Sequence, residues 1–444
     1  MRTAIFYNFM DNIGGAEIVC LILARELGAD IYTTNINRQK IRKMGFEDVL
    51  PRIKSIGKVP LNSPWRQELA LIRFRLLNLA GKYDLFIIEG EWAVSGAVNN
   101  RPNLWYAHST LRELWDLNES LRQEKNFHNL LIFDFWTFLH RYLDRKYTET
   151  LDAKVCNSGT TRNRIIKYLH EDAKVIYPPV ETKDYRCGKD KGYWLSVNRL
   201  LKQKRVDMQV KAFQMLPDEK LVIVGSYEKG SKPYEEYVSH LKKIKPSNVE
   251  ILHWVDDKRL KELYAHCRGF ITTPVEEDFG LTAVEAMASG KPVIAPNSGG
   301  YKETVIDGKT GLLINNLDEK KLAEAVLKVE KELRKNPKKY MEACIKQAGK
   351  FDISVFVRNI KREIEKIKTS ETRNLKKSVS AFSYLKFPEN IGEIYPRKMR
   401  ESWINSYHAA AGMAGKFIKS LFPPVYKKLK PYFPSNNRPF PHIK

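Results

Sequence analysis

Cysteine is scarce in this chain of 444 residues. Only Cys20, Cys156, Cys187, Cys267 and Cys344 occur, with no CxxC pair and no histidine-rich spacing between them. That argues against a disulfide framework and a structural zinc site, and for a reducing compartment. No apolar run is long enough to span a bilayer. The opening MRTAIFYNF enters a strand-like stretch without the charged-then-apolar pattern of a secretory leader. The expected location is therefore cytoplasmic, or peripheral at the inner face of the cell membrane. The turn after the first strand, NIGGAE at residues 12–17, is not the GxGxxG dinucleotide fingerprint, which weakens a hydride-transfer reading. Asp256 and Asp257 do not form an Asp-x-Asp metal motif, and no metal site is expected. Acidic residues are also in deficit: 52 Asp and Glu face 76 Lys and Arg, a net charge of +24. Such an excess suits a nucleic acid, an anionic membrane or a phosphorylated substrate, and equally a lysine-rich surface that keeps the protein soluble.

What the chain does have is a regular alternation of short apolar strands and helical stretches. The predicted strands of the first half are 3–7, 85–88, 103–106, 154–156 and 174–177; those of the second are 193–197, 220–224, 249–252, 269–272, 292–295 and 311–314. Buried strands separated by helices imply βα repeats and parallel sheets covered on both faces. Hydrophobic residues make up 43%, ordinary for a globular chain, and the length exceeds one core. The pattern restarts at Tyr193 after a segment, 178–191, with two prolines and clustered charges. The expected architecture is α/β, with two Rossmann-like αβα domains, residues 1–185 and 186–350, facing across a cleft. A terminal bracing helix over 351–370 and a basic, aromatic extension over 371–444 follow. Ligands of open α/β sheets lie beyond the carboxyl ends of the strands, so the chemistry is sought in those loops.

The densest signal is TPVEEDFGLTAVEAMASGKPVIAPNSGG, residues 273–300. A helix is predicted over 279–288, with Gly290 closing it. Amides around Gly280, Leu281 and Thr282 have no helical partner and form an anion site aided by the helix dipole. Gly280 lets a phosphate approach the backbone closely. A carboxylate on either side, Glu277 before the helix and Glu285 within it, is suited to pairs of sugar or ribose hydroxyls. The dipole alone accounts for Glu276, Glu277 and Asp278 at a helix start, but not for Glu285 or for Gly299 and Gly300.

This segment resembles the signature of retaining glycosyltransferase family 4, the glycosyl transferases group 1, with GT-B architecture. Two glutamates eight positions apart, Phe-Gly between them, then G-x-P-V-I-A and a glycine pair are matched by Glu277, Phe279, Gly280, Glu285, Gly290, Pro292, Gly299 and Gly300. The resemblance covers roughly four fifths of the chain. It implies that 186–350 binds a nucleotide sugar and that 1–185 lies on the acceptor side. It further implies that Glu277 contacts the donor sugar, the Gly280 and Leu281 amides the diphosphate, and Glu285 the ribose.

After the first strand of the second half comes SVNRLLKQKR, residues 196–205. Alone it reads as a solvated basic loop. Beside the acidic motif it resembles the family's G-R-L-x-x-x-K-G, with Arg199 and Lys204 in place and Asn198 and Arg205 where the family has glycine. The resemblance assigns Arg199 and Lys204 to the donor phosphates, where fixed cations stabilise charge growing on the leaving oxygen. That implies metal-independent transfer with retention of configuration. Gly14 and Gly15 resemble the family's lid edge over the donor phosphate. LWYAHSTLRELWD, residues 104–116, resembles a segment of members that include mannosyltransferases, with Leu111 where the pattern has proline. It places His108 beside the transferred sugar. Asn157, Ser158, Arg162 and the Pro178–Pro179 pair read as architectural.

Residues 371–444 hold fourteen Lys or Arg and four Asp or Glu. Trp403, Tyr407, Ala410, Ala414, Phe417, Ile418 and Leu421 recur at helical spacing. That suits a basic amphipathic helix on an anionic membrane, or a helix on the protein's own surface weakened by Gly412 and Gly415. The expected activity is hexosyl transfer from a nucleotide-diphosphate sugar to a glycan or lipid-linked acceptor. GDP-mannose is favoured over a UDP-sugar, and no cofactor is expected besides this co-substrate. The alternatives are a GT-B phosphorylase or sugar-nucleotide epimerase, and a basic nucleic-acid-binding protein. No specific nucleic-acid module is visible.

Overall fold

The computed structural model describes residues 1–61, 64–123, 125–226 and 232–371. Among the described residues two compact units are present: 1–110 with 147–371, and 111–146. The expected helix around Trp403–Leu421 and the membrane-facing extension lie outside the described residues.

The first unit holds two parallel sheets. The first comprises β1 (Thr3–Phe6), β2 (Asp30–Thr33), β3 (Ile53–Ser55), β4 (Leu85–Ile88), β5 (Asn103–Ala107), β6 (Ala153–Cys156) and β7 (Lys174–Val175), ordered β3-β2-β1-β4-β5-β6-β7. The second comprises β8 (Tyr193–Arg199), β9 (Lys220–Ser226), β10 (Val249–Leu252), β11 (Gly269–Ile271), β12 (Val293–Pro296) and β13 (Gly311–Ile314), ordered β10-β9-β8-β11-β12-β13. Every pairing within them is parallel. The fold is the expected α/β, GT-B architecture.

The central strands are legible because helices cover both faces: β1, β4, β5 and β12 are buried at every residue. β2 and β3 were not predicted. They sit at the sheet margin, where burial alternates in β2 and only Ile53 of β3 is buried. The predicted ends of several others shift by one or two residues; β8, for example, runs on to Arg199 and β7 stops at Val175. In each sheet strand order reverses once, between β1 and β4 and between β8 and β11. The carboxyl ends flanking those reversals are the places where an open α/β sheet offers a crevice.

The chain passes from the first sheet to the second and later returns alongside itself. Val180 donates to the Phe351 carbonyl at 2.9 Å, and Ile353 donates to the Val180 carbonyl at 3.1 Å. Asp352 then caps the terminal helix Ile353–Glu371 by accepting from the Ser354 amide at 3.0 Å. Phe356, Val357, Ile360, Ile364 and Ile367, at three- and four-residue spacing, bury one face of this helix in the core of the first sheet. Phe356 meets Tyr106 of β5 edge to face at 5.6 Å.

Within the second unit, Arg122 forks onto Asp134 at 2.7 and 2.8 Å, and the Trp115 indole donates to Asp144 at 2.9 Å. Arg141 and Arg145 lie over the Trp115 ring. Burial pushes the Asp144 carboxyl up to about 6. Among the described residues no helix is long and apolar enough to cross a membrane.

The terminal helix is thus a structural part of the first half. Phe356→Ala, which empties a ring-sized volume at a position 1% exposed, is expected to lower stability by about 3–5 kcal/mol in chemical denaturation followed by circular dichroism.

Candidate active site

The site of the second half is built from the loops after β8 and β11, the strands flanking its reversal. Arg199 ends β8 and is exposed; its carbonyl accepts from the Leu201 amide at 2.8 Å, and its side chain makes no hydrogen bond or ion pair among the described residues. The following turn, Lys202–Lys204, ends at Arg205, which adopts φ 51°. The family's glycine at this position accounts for that left-handed backbone; here an arginine accepts it, and its guanidinium reaches the Leu317 carbonyl at 3.2 Å. The Thr273 hydroxyl donates to the carbonyls of Lys204 and Arg205 at 2.8 and 3.0 Å, and Gln209 donates to Thr273 at 2.8 Å. These bonds hold the two loops together. Lys204 Nζ consequently lies 2.9 and 2.7 Å from the two carboxylate oxygens of Glu277.

Glycine shapes the acidic loop by close approach. A Cβ on Gly299 would stand 2.5 Å from the Glu277 carbonyl oxygen, and one on Gly300 would stand 2.5 Å from Phe279 Cα. The Gly300 amide donates to the Glu277 carbonyl at 2.8 Å. Glu276, with φ 55°, carries left-handed backbone that a non-glycine residue rarely adopts. Gly280 has φ 89° and would place a Cβ 2.6 Å from the Tyr301 ring, so its first role is to fit that ring and start the helix Leu281–Ala288. No side chain caps this helix, which leaves its first amides to a ligand or solvent. Its far end closes as expected: Gly290, at φ 70°, donates to the Met287 carbonyl and Lys291 to that of Ala286. Phe279 is placed in the core, its ring packed on Tyr177 and Phe351, so only its backbone borders the loop. Glu285 accepts from the Tyr264 hydroxyl at 2.7 Å. Burial raises its carboxyl, and that hydrogen bond partly offsets the rise.

The reversal of the first sheet gathers a different set. His108 follows β5, and its Nε2 lies 3.0 Å from Oε2 of Glu89, the residue after β4. Asn157 donates to the His108 carbonyl at 2.6 Å. Ser158 caps the helix Gly159–Arg164, and Arg162 pairs with Asp172. Burial pulls His108 down, but the hydrogen bond and charge of Glu89, with Glu91 and Glu17, outweigh it and hold the imidazole above its ordinary value. Burial raises Glu89, and His108 draws it back. Asn8, after β1, donates to Glu91 at 2.9 Å and accepts from the Trp92 and Ala93 amides. Gly14 precedes the helix Gly15–Leu27, and a Cβ there would stand 2.6 Å from Oε2 of Glu17. The Glu17 carboxylate therefore lies against the start of this helix. Burial raises it, while its own backbone and the charge of Arg199 lower it.

Sequence reasoning passed over Glu89 and Glu91. Their signal is a Glu-Gly-Glu run placed directly after a fully buried strand. It also missed what the neighbouring acids answer to. Asp278 pairs with the buried Arg164, which further donates to the Glu276 carbonyl at 2.9 Å, and Ser109 donates to Asp278 at 3.2 Å. Glu303 accepts from the Gly159 and Thr160 amides at 2.8 and 3.1 Å. A Cβ on Gly15 would stand 2.7 Å from Leu281. Gly15 and Leu281, distant in sequence, are thus brought together, as are His108's neighbour Ser109 and the acidic loop.

Residues 180–350 match the family described as glycosyl transferases group 1. An alpha-1,3/1,6-mannosyltransferase ALG2 of Dictyostelium discoideum is 28% identical over 262 residues, 50% of this chain and 62% of the relative. The chain therefore spans less than two thirds of that relative's length. A D-inositol 3-phosphate glycosyltransferase of Corynebacterium aurimucosum is 27% identical over 385 residues, 76% of this chain and 87% of the relative. The crystal structure of Anabaena HepE in complex with UDP-glucose is alike in fold, with TM-score 0.63 and 18% identity over 82% of this chain and 100% of that one.

The tight seat of Gly299 makes it a test of the loop. Gly299→Ala is expected to cost about 1–3 kcal/mol from the left-handed backbone alone, with more from the contact with Glu277. Denaturant titration against wild type reads the loss.

Proposed function

The chain carries a glycosyl transferases group 1 domain in a GT-B fold, and we propose that it transfers a hexose from a nucleotide-diphosphate sugar to a glycan or lipid-linked acceptor. The observation that carries this reading is the grouping of Arg199, Lys204, Glu277 and the uncapped start of the helix Leu281–Ala288 around the reversal of the second sheet. Those groups suit a sugar diphosphate in three ways. The Arg199 side chain makes no hydrogen bond or ion pair among the described residues, and the charge of Glu17 is felt there. Lys204 is held by a carboxylate that a phosphate can replace. The first amides of the helix are donors aimed at an anion.

When the bond between sugar and phosphate breaks, negative charge grows on the leaving oxygen. Fixed cations and amides stabilise that growth, typically by a factor of about 10²–10³ per donor. Lys204 exchanges Glu277 for phosphate as the donor enters, and Glu277 is then released to accept hydrogen bonds from the sugar hydroxyls. Glu285 serves the ribose. On this reading the two cations take the part a divalent ion plays elsewhere, and transfer retains configuration. The mannosyltransferase relative favours GDP-mannose as donor, while the UDP-glucose of the Anabaena structure keeps UDP-sugars in view.

Calorimetric titration of the full chain with GDP-mannose and UDP-glucose, in the presence of chelator, tests the proposal. Saturable binding of one of them is expected. Arg199→Ala and Glu285→Ala should each weaken it roughly ten- to hundredfold, in line with about 1.5–3 kcal/mol for a hydrogen bond to a charged group. Folded wild-type protein that binds neither, or binding untouched by both substitutions, would sink it.

A further inference from the structure

Glu89 is 1% exposed and stands directly after β4, on the side of the first sheet where a crevice forms. Burying a carboxylate is costly unless it is paired. Its strong partner among the described residues is His108, at 3.0 Å; its other oxygen, Oε1, makes no hydrogen bond, and the weakly donating Cys20 thiol also acts on the carboxylate. A glutamine at this position would span the same distance without the desolvation cost. What the carboxylate adds is a lasting hold on the Nε2 proton of the imidazole. His108 keeps 11% of its side chain exposed, and its Nδ1 makes no hydrogen bond among the described residues.

We infer that Glu89 is a positioning residue for the proposed transfer: it fixes the His108 ring through Nε2 and presents Nδ1 as a hydrogen-bond donor to a hydroxyl of the sugar or the acceptor. This rests on the reading of the chain as a hexosyltransferase. The ring is set from three sides. Glu89 holds the nitrogen, Tyr106 meets the ring edge to face at 5.1 Å, and Asn157 holds the backbone carbonyl. No proton need change hands. A charged imidazole has two donors, and Glu89 uses one of them.

The surrounding charges are arranged to keep that second donor. Glu89 and Glu91 come from the end of β4, Glu17 and Cys20 from the helix Gly15–Leu27, Tyr7 from the end of β1 and Tyr106 from β5. The charge of Arg199 reaches this group through Glu17, which it lowers. Because the folded value of His108 is raised, the charged imidazole adds stability that is complete below its unfolded value of about 6.5. That contribution is lost as pH rises through the higher folded value. The Nδ1 donor is lost over the same interval.

Nuclear magnetic resonance of histidine-labelled full-length protein follows His108 directly; a His108→Asn spectrum assigns it among the nine histidines. In wild type it should titrate above about 6.5. In Glu89→Gln it should titrate lower by about one unit or more. The alkaline limb of kcat/KM for nucleotide-sugar transfer should move by the same interval, with the donor KM little changed. A wild-type His108 that titrates at or below its ordinary value overturns the inference, and this arm stands even if Glu89→Gln does not fold. An unmoved titration in the variant overturns it too, as does a rate profile that stays in place while the titration moves. Absence of nucleotide-sugar turnover in wild type counts against the hexosyltransferase reading, whereas the titration alone judges the link between Glu89 and His108.

Discussion

Lys204 and Glu277 neutralise one another where the strand order of the second sheet reverses, and the surrounding loops are arranged to bring them together. The pair depends on Thr273, which ties the basic turn to the acidic loop through two backbone carbonyls. It depends equally on Gly299 and Gly300, which let the next turn press against the backbone of Glu277 and Phe279. Neither cation nor acid is fully buried, so the pair survives without a large desolvation penalty and remains open to exchange. A phosphate carrying more charge than a carboxylate is the natural competitor for Lys204.

The first sheet solves a comparable problem with a different outcome. Its reversal collects Glu17, Glu89 and Glu91 around a single histidine. Their hydrogen bond and charge raise the histidine, while burial raises Glu17 and Glu89 themselves. Contacts from Ser109 and Arg164 to Asp278, and from Glu303 to the helix start at Gly159, join the two halves through side chains far apart in sequence.

Much of this is legible in the residues. The inner strands announce themselves because parallel strands under helices are apolar throughout. β2 and β3 do not, because a marginal strand with one buried face, such as Asp30–Thr33, resembles any mixed segment. That Lys204 and Glu277 meet follows from their places in the loops after β8 and β11. The partners are harder to see. Nothing local in the sequence ties Arg164 to Asp278 or Glu89 to His108, since each link closes over a crossover that only the fold determines. The motif alone does not reveal that a Cβ at Gly280 would meet the Tyr301 ring. Phe279, a motif residue, turns its ring into the core.

The most direct measurement is a crystal structure of the full chain with the nucleotide-diphosphate sugar that it binds. The diphosphate is expected within hydrogen-bond distance of Arg199, Lys204 and the Leu281 amide, with the Lys204–Glu277 pair opened and Glu277 turned to the sugar. A diphosphate seated at the reversal of the first sheet, or one that leaves Lys204 paired with Glu277, would contradict it.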